Sequence, residues 1–573
     1  MILLILIVAI LLLSQPSPGL AHSAAARPFA GRSAVVVGSG PAGLASALVL
    51  SRRHGMDVTL VESDRGGVEA APSPALTADG AGGGDASGGG VAAFNVGKAF
   101  LYLIDGRGQS FTSGFPRVNA GLAEKGVAMS EFMMQTVPAD QDEALADPKS
   151  LPVSLAGKTP AYWIPRNEFV GILADEVLRG AEADDQGEGD GWGSITILGA
   201  TECTDVALPE RGGEDGNAIR ITAAAAAADS SSASRTVLEA DLVVGADGLR
   251  SSVRTALARK SPRRFTMRER PSLAAGLRYK VLQLPARFPV PLGGGESNAS
   301  TGTMAYAVRG VNKGPKDTLS LGLLPIRNNG ASRTANCVTK PDHVLWTMKD
   351  GEEVRSWFEK SFPRMPFQKA SEGGIVSDGE WDRFAKSEGG RFPAPQRCEG
   401  MCEVSEDGTK GVALVGDAAH AFPPDIGQGV NSALGDVLAL DAAIAEEAMA
   451  GSETAGAAPC LGRALEKYEQ RRSPEISALV RLCASTNPLQ YGQPGRMEKI
   501  RKKLWLVNFL VRTILNKASF GLVPNHAFLL IQNEKLSYPQ ITRRSDIVTA
   551  SLTSALLLGL WKVMGRVLAA TIV

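Results

Sequence analysis

Three times along the chain a short apolar run breaks into a turn of glycines and small residues and then into a helical repeat. Residues 34–37 (AVVV) run into GSGPAG, with apolar positions at helical spacing beyond, and residues 58–61 (VTLV) form a second run that ends in Glu62. Residues 242–244 (LVV) lead into GADG. Residues 412–415 (VALV) lead into GDAAHAFPPDIGQG, after which a helical pattern opens at Asn431. Short β-branched runs bounded by glycine predict buried strands, and the strand, turn, helix succession predicts βα units on a parallel sheet. Between residues 264 and 374 the pattern changes: alternating segments such as 302–308 and 318–324 predict antiparallel strands.

The turns carry the candidate chemistry. In the first, Gly38 makes the tight turn, Gly40 lets a pyrophosphate approach the backbone, and Gly43 packs helix on strand, while Glu62, about 20 residues on, accepts ribose hydroxyls. This is a dinucleotide fingerprint in its required strand, turn, helix, strand context. The second turn places Arg250 and Arg254 four apart on the following segment; alone it reads equally as a βα loop with a solvated helix face. The third supplies an acid, Asp417, then a proline pair and two glycines ahead of a helix start, a junction suited to an anionic or electron-rich flat partner.

All three motifs, in this order and separation, resemble the class A flavoprotein monooxygenases, over roughly residues 34–440. The resemblance implies an α/β fold: a Rossmann-like FAD-binding domain of the hydroxybenzoate hydroxylase (PHBH-like) type, an inserted antiparallel-sheet substrate domain, and a C-terminal helical tail suited to a membrane. It puts Gly38, Gly40, Gly43 and Glu62 on the ADP half of FAD and Asp417 on its ribityl and pyrophosphate side. Pro424, Gly427, Gly429, Val430 and Asn431 then border the isoalloxazine, with Pro424 and Gly427 lining the oxygen-activating pocket through their backbone. Arg166 opens a helix over the flavin, Asp247 serves FAD and NADPH, and His420 is structural. No second fingerprint occurs, so NADPH or NADH is expected as a transient co-substrate, with O2 as the oxygen source and an aromatic or other electron-rich small molecule as substrate.

Within the class the chain is most similar to the kynurenine 3-monooxygenases, through GQGVN, IDGRGQSF around Arg107, GVAMSEFMM, and a tail in which LSYPQITRR precedes an apolar segment. It departs from them at the substrate. Glu131 and Phe132 stand where that family has a carboxylate-binding arginine, Lys467 replaces an asparagine, Asn525 and His526 replace a tyrosine, and Gly435 replaces an acid. Phe132, Lys467 and His526 are therefore the candidate substrate positions. Other readings share the fold. A flavin halogenase expects a WxWxIP element, and only Trp163, Ile164 and Pro165 follow Tyr162. A membrane-associated isoprenoid reductase or epoxidase, or a flavin-binding scaffold without turnover, stays open.

Composition adjusts this picture modestly. The 573 residues suffice for several domains, and 60 basic against 60 acidic residues leave no global field to recruit nucleic acid. Six scattered cysteines include Cys398 and Cys402 in CEGMC, but no second pair completes a zinc site, and no metal is expected. The domain reading is: 1–27 a signal peptide or N-terminal anchor; 31–263 the first part of the FAD-binding domain; 264–374 the substrate sheet; 375–485 the second part of the FAD-binding domain; 486–573 a helical region with an apolar tail at 547–573. Flexible insertions are expected near 70–90, 180–191 and 223–235. The apolar run 2–13 with its small-residue trailer favours the secretory route, whereas the resemblance points to the mitochondrial outer membrane. The basic stretch 496–503 beside apolar 504–515 suits a membrane face, and Asn298-Ala299-Ser300 is a glycosylation triplet.

Overall fold

The computed structural model describes residues 27, 29–63, 101–129, 131–152, 159–179, 191–209, 218–225, 235–293, 296–453, 459–485, 496–531 and 533–571. The N-terminal run 2–13, the insertion 70–90, and the insertions near 180–191 and 223–235 except for their flanks lie outside the described residues.

A six-stranded sheet forms the centre. Its strands are β1 (Ser33–Val37), β2 (Asp57–Val61), β3 (Ile195–Leu198), β4 (Leu242–Gly245), β5 (Cys402–Val404) and β6 (Gly411–Leu414), in the spatial order β5-β6-β4-β1-β2-β3. All neighbours run parallel except the β5–β6 pair. β4 and β6 are buried along their whole length, as expected of strands covered on both faces. The register matters for function. Val37 pairs with Gly245 and Gly245 with Leu414, so the three glycine turns leave the sheet from one row at its carboxyl edge. Ligands of open parallel sheets bind at that edge.

Helices α1 (Pro41–Arg52), α2 (Arg166–Leu178), α3 (Ser252–Lys260), α4 (Gly429–Glu453) and α5 (Leu461–Ser485) follow in chain order. Proline opens α1 at a position where its missing N–H costs nothing, and every residue from Ala42 to Arg52 is buried because α1 is sandwiched between the sheet, α2 and α4. Where α1 ends, Arg53 and His54 both pair with the buried Asp441 of α4, His54 Nε2 at 2.9 Å. The helices of the first and third motifs are thereby joined. The arginine and histidine partners outweigh burial and hold the Asp441 carboxyl below its ordinary range.

A second sheet of seven strands lies in the order Gly390–Arg391, Arg278–Leu284, Arg333–Thr339, Ser320–Leu323, Ala305–Arg309, Glu131–Val137, Lys149–Pro152. It is antiparallel except where Ala305–Arg309 meets Glu131–Val137. Its centre comes from the 264–374 segment, and strands from both flanking segments complete its edges. Helices Gly351–Ser361 and Asp378–Lys386 cover one face through Phe358, Trp381 and Phe384.

The C-terminal region is helical: α6 (Arg496–Ala518), a short turn of helix at Ala527–Leu530, and α7 (Tyr538–Thr571). Leu479, Leu482 and Cys483 of α5 pack with Ile531, Leu536, Tyr538 and Ile541, fixing the start of α7 against the domain. Arg481 and Arg512 then tie α7 to α5 and α6 as far as Thr549, and from Thr553 to Met564 every residue is exposed. Among the described residues one helix, Tyr538–Met564, is long and apolar enough to cross a membrane, and 6% of its apolar window is buried.

Candidate functional site: three glycine turns on one sheet edge

The first turn shows why each glycine is needed. Gly38 adopts φ 100°, donates its amide to the Val61 carbonyl at 2.8 Å, and would carry a Cβ 2.6 Å from the Ala246 carbonyl oxygen. At Gly43 a Cβ would sit 1.8 Å from the Gly38 oxygen. Gly40, in contrast, faces open space, with nothing within 4 Å of the Cβ it lacks. It caps α1 without a side-chain hydrogen bond, leaving the first helical amides free for an anion. Glu62 ends β2 beside this turn and accepts from both the amide (2.8 Å) and the hydroxyl (2.5 Å) of Ser39.

The second turn is built around Asp247. Its Oδ2 accepts from the amides of Ser252 (2.6 Å) and Val253 (3.2 Å), capping the N-terminus of α3. Burial pushes this carboxyl up against those bonds, and its Oδ1 has no partner. Arg254, one turn into α3, donates to the Leu249 carbonyl and to the Ala418 carbonyl, each at 2.7 Å. The second motif is thus tied to the third by backbone capture. The exposed Arg250 makes no such link.

The third turn is held from beneath by a buried acid that the motif itself does not contain. Asp436 on α4, with no exposed surface, accepts from the Gly416 amide (2.8 Å), His420 Nε2 (2.6 Å) and Arg472 Nε (2.8 Å). Burial alone would raise this carboxyl; His420 and Arg472 outweigh it and hold it below the ordinary value. His420 therefore packs as a structural partner. Gly435, the position that lacks an acid, lies next to this one, with Arg472 at van der Waals distance from its missing Cβ.

Asp417, unlike Asp436, lies at the open side of the turn. Solvent reaches it there, yet the surrounding walls crowd it; desolvation raises its carboxyl, with His420 and Arg166 pulling down and Asp436 pushing up. Arg166, the first residue of α2, also lies close enough to the Tyr102 phenol to favour its ionised form against burial. Arg166, Asp417 and Tyr102 consequently share one wall.

At the far end of the third motif, Pro424 is exposed and Gly427 takes φ 64°, the left-handed turn that starts α4. Gly429 has nothing within 4 Å of its missing Cβ, and Val430 is buried in the main core. Asn431 is a staple: its Nδ2 donates to the carbonyls of Leu103 (2.8 Å) and Gly427 (3.0 Å), and its Oδ1 accepts from the Asp105 amide at 3.2 Å. Beside it, Gln428 Nε2 donates to Asp105 Oδ2 at 2.7 Å, and Tyr538 Oη donates to Gln428 Oε1 at 2.6 Å. Arg107 completes the link to the C-terminal region. Its guanidinium donates to the carbonyls of Ile531 (3.3 Å), Asn533 (2.8 Å) and Leu536 (2.5 Å) and lies 4.3 Å from the Tyr538 ring centroid.

Two of the candidate substrate positions, Lys467 and His526, already have partners of their own. Lys467 pairs with the buried Glu447 at 3.0 Å, near the far end of α4 and about 27 Å along the helix from Gly429. His526 caps the Ala527–Leu530 helix through Nδ1 and packs edge-on against Trp505. Burial, aided by Arg512, lowers its pKa to about 4. Phe132 lies on the Glu131–Val137 strand, opposite Leu151. Cys398 and Cys402 are buried free thiols; burial pushes Cys398 up to about 11. Sequence reasoning missed Asp436, Arg472, Asp105, Gln428 and Tyr538. Gln428 sits inside the motif and could have been found there.

Comparison with known proteins agrees with this geometry. Residues 401–482 match the family model described as FAD binding domain. The monooxygenase penA of Penicillium thymicola is 34% identical over 86 residues, a match covering 15% of this chain and 20% of that protein. The chain thus aligns with about a fifth of the curated relative's length. Among solved structures, a mutant form of 2-methyl-3-hydroxypyridine-5-carboxylic acid oxygenase superposes with a TM-score of 0.50 at 17% identity, over 89% of this chain and all of that one. The pqsL protein of Pseudomonas aeruginosa superposes with a TM-score of 0.48 at 17% identity, over 82% of this chain and 98% of that one. Residues 401–482 thus match an FAD-binding-domain model, and the chain shares the α/β fold of that oxygenase.

Proposed function

We propose that the chain is an FAD-dependent monooxygenase that uses NADPH or NADH and O2 to hydroxylate an aromatic or other electron-rich small molecule. The observation that carries this reading is the shared row of Val37, Gly245 and Leu414, which brings three glycine turns to one edge. The residues fit FAD. Gly40 and Gly429 leave open space where a ligand would meet backbone, the α1 and α4 N-termini face the same edge, and Asp417 and Arg166 supply a charged wall. Gly38, Gly40, Gly43 and Glu62 would hold its ADP half, Asp417 its ribityl chain, and the 424–431 turn its ring. Bound FAD supplies hydride acceptance and oxygen activation. The chain's own work is positioning, exclusion of water, and presentation of backbone donors from Gln428 to Val430, with Arg166 and Tyr102 completing the wall.

The finer resemblance to kynurenine 3-monooxygenases is supported by GQGVN and by Arg107, whose segment locks the C-terminal region against the flavin-side turn. Glu131 in place of a carboxylate-binding arginine speaks for a different substrate. A second reading concerns location. The exposed Leu556, Leu557 and Trp561 of α7, and the exposed Leu504, Val507 and Ile514 of α6 beside Arg501, Lys502 and Lys503, favour attachment to a membrane. An isoprenoid reductase or epoxidase would share that attachment. Anaerobic stopped-flow of the FAD-reconstituted protein tests the enzyme reading: flavin bleaching by NADPH that accelerates with an aromatic effector supports it, and no reduction with any effector sinks it. Reporter fusions at each end, located in cells, test the compartment.

A further inference from the structure

Among the described residues, every buried acid has matched partners except one. Asp105 accepts from Gln428 and from the amides of Arg107 and Gly108; Asp436 has His420, Arg472 and the Gly416 amide; Asp441 has Arg53 and His54; Glu447 has Arg463 and Lys467. Asp425 has none. It sits between Pro424 and Gly427 in PPDIGQG, is 4% exposed, and neither carboxylate oxygen has a hydrogen-bond partner. Its neighbour Ile426 packs into the apolar cluster of Leu479, Leu482, Cys483 and Ile531, and the buried Cys483 thiol is close enough to feel its charge. Burial pushes the Asp425 carboxyl up to about 7, opposed by no cation and only by its own backbone amide.

An uncompensated buried carboxylate costs several kcal/mol in general, and folds keep one where something else completes it. The left-handed turn at Gly427 holds this one on the motif that the proposed function assigns to the ring of FAD. We infer that Asp425 is the specificity-determining residue for substrate: it accepts from a basic nitrogen, so the substrate class is arylalkylamines, protonated at neutral pH, rather than aromatic carboxylates. The inference rests on that functional reading for the location of the substrate. A substrate ammonium would bring both the missing donors and the missing countercharge, converting an acid that is costly when buried alone into one half of a buried ion pair.

The test uses FAD-reconstituted full-length protein and three probes with one ring: tyramine, 4-ethylphenol and 3-(4-hydroxyphenyl)propionate. Binding is read by isothermal titration calorimetry and by perturbation of the flavin absorbance. Tyramine is expected to bind about 10- to 100-fold more tightly than the propionate, the range of one charge-assisted hydrogen bond. Asp425→Asn, near-isosteric, should remove most of that preference and leave 4-ethylphenol within about twofold, while Asp425→Glu keeps it in part. Equal losses for all three probes, or an unchanged tyramine affinity in Asp425→Asn, overturn the proposal. Should the variants fail to fold, the wild type decides alone: no preference for tyramine over 4-ethylphenol overturns it as well. If tyramine binds through Asp425 but no effector ever accelerates flavin reduction, the monooxygenase reading falls and the amine site stands.

Discussion

Arg472 Nε donates to Asp436 Oδ1 at 2.8 Å, joining α5 to α4 directly beneath the turn that carries Asp417. Both side chains are buried, and Asp436 at the same time holds the Gly416 amide and His420. Removing Arg472 leaves the Asp436 carboxylate in the core with only the Gly416 amide and His420 to offset it. Arg472→Met is therefore expected to destabilise the protein by about 3–5 kcal/mol, whereas the pair Arg472→Met with Asp436→Leu should recover part of the loss. Chemical denaturation of the two variants measures this, and equal stability of single variant and wild type would count against a buried ion pair.

The same acid gives a pH dependence. Asp436 has a folded pKa below its unfolded value of 3.8, so its contribution is present above that value and is lost as pH falls through the folded one. His526 behaves as the opposite kind of group with a similar outcome. Its folded pKa of about 4 lies below the ordinary 6.5, so the unfolded chain takes up the proton first and stability falls between pH 6.5 and 4, by about 3 kcal/mol in all. His526→Asn keeps an acceptor for the Phe528 amide and should flatten that part of the stability curve. An unchanged slope in this variant would mean that the histidine titrates normally.

Gly40 and Gly43 separate cofactor binding from folding. Ala at Gly43 meets the Gly38 carbonyl at 1.8 Å, and overpacking of this kind costs about 1–3 kcal/mol, so apo stability should fall. Ala at Gly40 meets nothing and fits its φ of −68°, so apo stability should hold within about 0.5 kcal/mol while FAD affinity drops. Thermal melts with and without FAD give both numbers. A Gly40→Ala protein that retains full FAD affinity would remove the pyrophosphate from this turn.

Arg107 is a latch on the C-terminal region. Its bonds to three carbonyls and its contact with the Tyr538 ring are all lost in Arg107→Ala. The variant should release residues 531–538, at a cost of about 1.5–3 kcal/mol, and show faster proteolysis there than in the central sheet. Mass mapping of the first cut sites checks the order of release.

Charges placed on α7 test its apolar face. Leu557 and Trp561 are exposed, so Leu557→Glu with Trp561→Glu should leave folding within about 0.5 kcal/mol. Co-flotation with vesicles should be lost in this variant. Equal flotation of both forms would mean that α7 does not engage lipid.

How far the sequence could be read depends on the range of the interaction. Gly38, Gly43 and Gly427 were legible because each answers a demand of its own backbone, a positive φ or a close approach. The strands followed for the same reason; 34–37, 58–61 and 242–244 fall inside the observed β1, β2 and β4, and 412–415 overlaps β6. Burial on both faces writes an apolar run that no partner is needed to interpret.

Partners of buried charge leave no such trace. Nothing near Gly416 in sequence announces Asp436 or Arg472, and nothing near Gln428 announces Tyr538. Lys467 and His526 were singled out by their places in the resemblance, where they replace an asparagine and a tyrosine, and tertiary packing placed one against Glu447 and the other against Trp505. The sequence alone therefore determined the βα units, their order and the glycine turns, since these follow from local backbone geometry and hydrophobic period. Only the tertiary structure decided which acids are neutralised and by what, and left Asp425 without a partner, because a buried charge is settled by whichever group the fold brings to it across hundreds of residues.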